Sequence, residues 1–178
     1  APHAVSIQTI HVSDAGRFGS ARIEAEALQM PALGHTAPNR AIGAALWQQL
    51  RGHPQVQLIA PARVIDAHME ADSAQIRLLT GSGDNATEPT LLTRLVVAAD
   101  GDRSQIRERR GLGVTEVDYE HVAIVANVAA ERRATSVAYE RFGAAAGPIA
   151  LLPRPDGHYT VVWCVARRIA ASVAGQPE

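Results

Sequence analysis

The sequence predicts an α+β fold in which an antiparallel β-sheet is combined with an incomplete α/β part. Three observations support this prediction. Four consecutive strand patterns with short turns between them fill residues 122–166, as in an antiparallel sheet. Alternating apolar and polar residues within 5–25 predict a hairpin that joins this sheet. Between these regions, an amphipathic helix pattern and a continuous apolar run are typical of an α/β unit.

Composition excludes several classes of function. The 178 residues are 47% hydrophobic, which is enough to bury a core. A net charge of −1 and only 4% aromatic residues argue against a nucleic-acid-binding surface. Cys164 is the single cysteine, so no internal disulfide is possible, and its apolar neighbours indicate a buried small residue rather than a catalytic thiol.

The chain shows no sign of a membrane span or a signal peptide. No apolar run approaches the ~20 residues that a membrane helix needs, and no basic segment precedes an apolar one at the start. A cytoplasmic location is therefore expected. Because the chain begins without Met and in a strand pattern, and ends within a helix pattern, we expect it to be a segment of a longer protein.

The elements follow in chain order from local patterns. After the first hairpin, Asn39 can cap a helix over 40–50, and Gly52 ends it. The apolar positions of this helix share one face: Ile42, Leu46 and Leu50. We then expect a short strand at 56–59, a hairpin of 64–69 with 75–80, a loop at 81–89, a strand at 91–99 and a helix at 102–110. The last strands are expected at 122–130, 136–142, 148–152 and 159–166.

Three common kinds of site find no support. Residues 81–86, GSGDNA, match G-x-G-x-x-A after a strand, but Pro89 and a β-rich run follow instead of the helix that a dinucleotide fingerprint needs. A hairpin loop explains this segment better. The seven histidines show no H-x-H or H-x-x-x-H spacing, so no metal site is expected. No G-x-S-x-G elbow marks a hydrolase serine.

The segment at 95–107, LVVAADGDRSQIR, carries the strongest chemical signal. Asp100 follows an apolar run with the continuity of a strand buried on both faces, at the carboxyl end where open α/β sheets bind ligands. Gly101 permits a tight turn, and Asp102 or Ser104 can cap the next helix. The turn predicts either a nucleotide-binding edge or a helix cap and nothing more. The residues alone leave both interpretations open.

Four segments together resemble one enzyme family. The apolar strand with Asp-Gly-x-x-Ser-x-x-Arg resembles the DG motif of class A FAD-dependent aromatic hydroxylases. NRAIGAAL at 39–46 is similar to the helix start of that family, which reads Arg-x-x-Leu or Arg-x-x-Ile. YERFG…GPIALLP at 139–153 resembles its ubiquinone-biosynthesis branch, as does IHVSD at 10–14. The resemblance covers essentially the whole chain with matching order and spacing.

The resemblance implies an FAD-dependent monooxygenase in which NAD(P)H reduces the flavin and O₂ supplies an oxygen atom to a phenol ring. By this resemblance, Arg40 contacts FAD, and the backbone near Val64 lies against the adenine. Asp100 and Gly101 lie near the flavin and the path of NAD(P)H. Arg107 stabilises that segment. The implied organisation is a hairpin at 1–25 joining the substrate sheet, a partial FAD-binding lobe at 26–113, and the substrate-binding antiparallel sheet with the start of a helix at 114–178.

The resemblance also implies a substrate class. The strand before Pro153 should face the ring, and its apolar residues Ile149, Leu151 and Leu152 suit a prenylated phenol that lacks a carboxylate. A lipid substrate implies a peripheral position at the inner membrane and other ubiquinone-biosynthesis proteins as partners. The sequence identifies no general base; His35 and Tyr139 are the candidates.

Two family segments are missing from this chain: the N-terminal G-x-G-x-x-G unit and the C-terminal G-D-A-x-H segment. We expect them in flanking parts of the parent chain, and we expect this segment alone to hold no flavin and to be inactive. Two alternatives stay open. One is an FAD-fold oxidoreductase of another reaction type, such as a prenyl reductase. The other is a non-enzymatic sheet domain that binds an apolar ligand.

Overall fold

The computed structural model describes residues 3–143 and 146–175. The chain forms two compact units. The first, which we call the sheet unit, combines the residues up to Gln48 with those from Asp118 onward; the second, the hairpin unit, is Gln49–Val117. Residues 26–48 therefore cluster with the large sheet, whereas the sequence had placed them in the partial FAD-binding lobe at 26–113.

The described residues contain eleven strands and three α-helices. The strands are β1 (Val5–Ile7), β2 (Thr9–Asp14), β3 (Ser20–Glu24), β4 (Gly34–Thr36), β5 (Ala62–Met69), β6 (Ala74–Thr80), β7 (Thr90–Thr93), β8 (His121–Val128), β9 (Val137–Phe142), β10 (Ile149–Pro153) and β11 (Tyr159–Ala166). The helices are α1 (Asn39–Arg51), α2 (Gln105–Arg109) and α3 (Arg167–Ala174).

A six-stranded sheet in the order β3-β2-β9-β10-β11-β8 dominates the sheet unit. All neighbouring strands are antiparallel except β2 and β9, which run parallel. The predicted α+β fold with an antiparallel sheet is confirmed, with this one parallel pair as a departure. No short turn connects β2 to β9, so nothing local fixes their relative direction. β1 lies outside this sheet and pairs with β4.

The six-stranded sheet is buried along part of its surface. Val165 is fully buried, Ala138 is 2% exposed and Tyr159 is 9% exposed. The buried hydroxyl of Thr9 donates to Glu24 Oε2 at 2.7 Å across the β2–β3 pair, so this polar group is satisfied. The hydrogen bond from Thr9 is the first cause that lowers the pKa of Glu24.

Helix α1 confirms the predicted helix and extends it by one residue at each end. The carbonyl of Pro38 accepts from the amides of Ala41 and Ile42 in the first turn. The predicted apolar stripe is open: Ile42, Leu46 and Leu50 are 49%, 59% and 41% exposed. Amphipathic periodicity thus correctly predicted the helix, although the stripe is not covered in this structure.

The hairpin unit is built on the three-stranded sheet β5-β6-β7. Its core contains Ala74, Ile76 and Leu78 of β6, and Val64 and Met69 are among the residues packed against them. The predicted hairpin of 64–69 with 75–80 is confirmed. The predicted strand at 56–59 is wrong: the segment has no ladder partner among the described residues and forms no strand.

The predicted strand at 91–99 is only partly right. β7 ends at Thr93, and residues 95–99 form no ladder, with Leu95 75% and Val97 78% exposed. A strand buried on both faces needs other elements packed on each face of its sheet, and Leu95 and Val97 have no such cover among the described residues. The helix expected at 102–110 is shorter as well, since α2 covers Gln105–Arg109.

Candidate functional site

The turn between Ala99 and α2 is held by two side chains. Ser104, which is 5% exposed, is the N-cap, and its hydroxyl accepts from the Arg107 amide at 3.1 Å. Asp100 accepts from the Ile106 amide at 3.5 Å. The hydrogen bond from the Ser104 side chain, followed by backbone amides, lowers the pKa of Asp100 below its ordinary value, so this carboxylate is ionised at neutral pH. Of the two predicted caps, Ser104 is the one used.

A cleft of about 370 Å³ in the hairpin unit brings two of the predicted site residues together. Val64 on β5 and Asp100 before α2 line the same cleft, which we call the Asp100 cleft. Gly101 and Arg107 line a separate hollow of about 380 Å³. Arg107 Nη2 donates to the Asp102 carbonyl at 2.6 Å and so braces the turn from its other side.

Three arginines that the sequence analysis did not identify also line the Asp100 cleft: Arg63, Arg103 and Arg109. Arg109 Nη1 donates to the carbonyl of Ile65, which fixes the guanidinium beside β5. About 40 residues of chain separate Arg63 from the other two, so only the fold brings them together. The one available signal was Arg63 itself, which directly precedes the predicted adenine contact Val64.

In the sheet unit, the predicted substrate-facing residues divide between two faces. Side chains alternate along a strand, so Ile149 and Leu151 of β10 lie on one face and Leu152 lies on the other. Tyr139 is directly opposite Leu151 and therefore shares the face of Leu151. The three predicted residues cannot all contact one ligand.

The face that holds Leu151 carries a row of rings on β2, β9 and β11. The ring centroids of His11 and Tyr139 are 5.7 Å apart, and those of Tyr139 and Tyr159 are 6.2 Å apart. Tyr139 is 38% exposed. We call this surface the tyrosine face and define it by these three rings with Ile149 and Leu151. Both candidates for a general base now have a location: Tyr139 lies on this face and His35 lies on β4.

Leu152 faces a different cavity of about 520 Å³. Its lining includes His35, Asn39 and Ile42, and Arg40, the predicted FAD contact, is the next residue after Asn39 on α1. Arg154 also lines it, and its Nη1 donates to Asn127 Oδ1 at 2.8 Å. This cavity therefore combines apolar side chains such as Ile42 and Leu152 with the charged group of Arg154.

The Arg154–Asp156 ion pair makes the β10–β11 turn sensitive to pH. Arg154 Nη2 lies 2.8 Å from Asp156 Oδ2, and this contact is the first cause that lowers the pKa of Asp156 to about 2. An unfolded aspartate titrates near ~3.9. A depressed folded-state pKa contributes stability above the unfolded value, and this contribution is lost as the pH falls toward 2.

We therefore expect Asp156→Asn to lower the urea midpoint at pH 5–7 and to have a shrinking effect between pH 4 and pH 2. The midpoints of both proteins, measured by circular dichroism across this range, check the prediction. Asp72→Asn, an exposed change in the β5–β6 turn, is the control. A difference between the two proteins that stays constant down to pH 2 would contradict an ionic origin.

Within residues 3–143 and 146–175, no group of three or more His, Cys, Asp or Glu side chains is arranged to hold a metal ion. The helices in this part of the chain are all too short or too polar to cross a bilayer.

Comparisons with known proteins by sequence and by fold agree with each other. No protein-family model matches the chain. The chain is 37% identical over 131 residues to ubiquinone hydroxylase UbiL of Rhodospirillum rubrum, covering 74% of this chain and 29% of that protein. It is 31% identical over 140 residues to 3-demethoxyubiquinol 3-hydroxylase of Escherichia coli, covering 79% and 34% respectively. The chain thus spans only about a third of the length of these relatives.

Two solved structures share the fold. One is PqsL, a probable FAD-dependent monooxygenase of Pseudomonas aeruginosa. It superposes with a TM-score of 0.76 at 17% identity, covering 96% of this chain and 45% of that one. p-Nitrophenol 4-monooxygenase PnpA of Pseudomonas putida gives 0.73 at 15% identity, covering 97% and 44%. These findings confirm the resemblance given by the sequence motifs. The chain is a homologue of the ubiquinone hydroxylases and has the fold of part of an FAD-dependent monooxygenase.

Proposed function

We propose that these residues form the central part of a longer FAD-dependent monooxygenase that hydroxylates a prenylated phenol in ubiquinone biosynthesis, with NAD(P)H and O₂ as co-substrates. The main support is the sequence relationship to ubiquinone hydroxylases over about three quarters of the chain. The tyrosine face adds a surface of suitable chemistry. A prenyl reductase-like reaction or a non-enzymatic sheet domain has no comparable support.

The hairpin unit contains residues that fit part of FAD. Val64 and the ionised Asp100 line one cleft, together with guanidinium groups whose charge matches phosphate. Its volume of about 370 Å³ is near the lower end of small-molecule sites, ~300–1,000 Å³, so it can hold only part of a dinucleotide. When bound, FAD supplies the redox chemistry by which electrons from NAD(P)H activate O₂. This chain's residues would bind and orient the adenine side.

The tyrosine face is the surface we assign to the substrate. Aromatic rings pack favourably against a phenol in edge-to-face or offset geometry, and Ile149 and Leu151 provide apolar contact for a prenyl chain. The other face of β10 offers Leu152 beside the guanidinium of Arg154 and the hydroxyl of Thr160. Placing an apolar chain there would desolvate charged and polar groups, which costs free energy.

The proposal is tested with the full-length protein, a prenylated phenol, NAD(P)H and O₂. We expect FAD in the purified protein, NAD(P)H oxidation stimulated by the phenol, and a product heavier by one oxygen atom in mass spectrometry. The same phenol without its prenyl chain is the control and should be a poorer substrate. If the rate of NAD(P)H oxidation does not depend on the prenylphenol, the protein is better explained as a flavin enzyme of another reaction type.

The assignment of the substrate to the tyrosine face makes a specific prediction. In the full-length protein, Leu151→Asn should lower kcat/KM for the prenylphenol at least tenfold, because burying a leucine side chain contributes ~1.5–3 kcal/mol. Leu152→Asn, one residue along the same strand but on the other face, is the matched control. Melting temperatures report whether both variants fold. A larger kinetic loss for Leu152→Asn would place the substrate on the opposite face.

A further inference from the structure

We propose that one end of the six-stranded sheet docks on the surface of a lipid bilayer, with Phe18 inserted among the lipid headgroups. We call this end the Phe18 edge and define it by Arg17, Phe18, Arg141 and Phe142. The inference rests on the proposed function, because a prenylated substrate is dissolved in a membrane. It goes further by naming the surface that brings the protein to that membrane.

The turn between β2 and β3 presents Phe18 to solvent. The β2–β3 ladder ends where Ser13 pairs with Ser20, so residues 14–19 form the turn beyond it. Phe18 is fully exposed, and it is the most exposed large apolar side chain in the part of the chain that the structure describes. Single exposed apolar residues are common on protein surfaces, so the neighbours of Phe18 decide what its exposure means.

The second phenylalanine of the chain lies at the same end of the sheet. β2 and β9 run parallel with Asp14 opposite Phe142, so both strands end at this edge. The Ala15 amide donates to the Phe142 carbonyl at 2.8 Å, which ties the base of the turn to β9. Phe142 is 45% exposed. The chain contains only two phenylalanines, and the fold brings both to one exposed edge.

The charge at the Phe18 edge favours an anionic surface. The Arg17 side chain is 82% exposed and lies 3.2 Å from the Asp14 carboxylate. An exposed ion pair of this kind is weak, so Arg17 can exchange it for a lipid phosphate. Arg141 is exposed and donates to Ser13 Oγ at 3.5 Å, and no carboxylate of the described residues lies within ion-pair distance of it. The edge thus carries two guanidinium groups and one carboxylate, and the next acidic residue, Glu140, lies inside β9.

A bilayer fits this edge better than a second protein does. A phenylalanine side chain offers about 150–250 Å² of surface to bury, whereas a stable protein interface buries ~800 Å² on each partner. An isolated aromatic tip flanked by arginines matches the layered chemistry of a membrane surface instead. The ring reaches the boundary between headgroups and acyl chains, and the guanidinium groups stay with the phosphates.

The Phe18 edge is also the end of the tyrosine face that holds Ile149. Arg141 lies directly opposite Ile149 in the β9–β10 pair, and Leu151 lies two positions further from the edge. A prenyl chain in contact with Leu151 and Ile149 can therefore leave the protein at the edge that contacts the bilayer.

The test is co-sedimentation of the full-length protein with vesicles, made either of phosphatidylcholine alone or of an equimolar mixture with phosphatidylglycerol. We expect the protein to bind the mixed vesicles more tightly. Phe18→Ser should lower the partition coefficient about tenfold, because membrane affinity scales with the apolar area that is buried. Arg141→Gln should lower it about fivefold on the mixed vesicles and leave binding to phosphatidylcholine unchanged.

Two matched controls remove the same chemistry from the opposite end of the sheet. That end is marked by Thr9, which pairs with Glu24 at the end of β3 and with Val137 at the start of β9. Leu28, which follows β3, is 56% exposed, and Arg132, which precedes β9, is exposed as well. Leu28→Ser and Arg132→Gln should therefore bind vesicles as the wild type does.

The inference is overturned if the wild type does not bind vesicles, or if Phe18→Ser and the wild type bind them equally. Loss of self-association in Phe18→Ser, measured by light scattering without vesicles, would assign the edge to a second copy of the chain and also overturn it. We expect Phe18→Ser to hydroxylate a detergent-solubilised phenol with one isoprene unit at the wild-type rate. The proposed function fails separately: a full-length protein that binds vesicles through Phe18 but hydroxylates no prenylphenol would retain the membrane surface and lose the activity.

Discussion

A Gly147→Ala variant is expected to lose about 3–5 kcal/mol of folding free energy. Only a few mechanisms cause losses of this size, and strain at an unusual backbone conformation is one of them. Gly147 has φ +116°, a conformation that side chains rarely adopt. A Cβ there would lie 1.9 Å from the carbonyl oxygen of Cys164. That carbonyl cannot retreat easily, because the Cys164 amide donates to Pro148 at 3.0 Å and β11 is paired on both sides. Relief requires moving β11 against both of its neighbours, β10 and β8.

Two other glycines serve as controls for this prediction. Gly157 has φ +82°, and its added Cβ would meet the flexible side chain of Arg133 at 3.0 Å, so Gly157→Ala should cost roughly 1 kcal/mol. Gly113 has no atom within 4 Å of the added Cβ and no positive φ, so its alanine variant should remain near wild type. Urea unfolding followed by circular dichroism gives all three values. A Gly147→Ala protein as stable as the wild type would mean that the backbone before β10 can shift away from the Cys164 carbonyl, which would contradict the prediction.

The sequence predicted the fold best where strands are linked by short turns. The alternation in β8–β11 and in the β5–β6 hairpin is a local property, and neighbouring strands with tight connections pair with each other. The parallel pairing of β2 with β9 joins segments more than 120 residues apart, and no local pattern contains it. Residues 95–99 show the same limit. Their apolar sequence indicates that the segment can be buried, but it does not show which element would cover it, and Leu95 and Val97 are exposed in this structure.

The candidate site was predictable to a similar degree. The Asp-Gly turn is a motif of adjacent residues, so Asp100 and the cap Ser104 could be identified before the fold was known. The assignment of Ile149, Leu151 and Leu152 to one ligand overlooked the alternation of β10, although that rule was available. The arginines of the Asp100 cleft come from two distant segments, and scattered arginines look like surface charge until a hairpin brings them together.

Asp100→Ala should impair nucleotide binding far more than folding, and this outcome separates the two interpretations of the DG turn. The carboxylate is exposed and lines the Asp100 cleft, and it accepts from the Ser104 side chain and, at 3.5 Å, from the Ile106 amide. The helix cap is instead the buried Ser104. In the full-length protein, we expect Asp100→Ala to lower flavin content or NAD(P)H affinity at least tenfold while the melting temperature changes little.

Ser104→Ala provides the reciprocal comparison. It removes the N-cap of α2, which typically costs ~0.5–2 kcal/mol, so its main effect should be on stability. Flavin absorbance after purification and NAD(P)H titration report binding, and thermal melts report folding. If Asp100→Ala lowers the melting temperature as much as Ser104→Ala and leaves nucleotide binding intact, then the turn is a helix cap and nothing more. The reverse pattern makes Asp100 a nucleotide-site residue, held ionised by the serine that caps the helix.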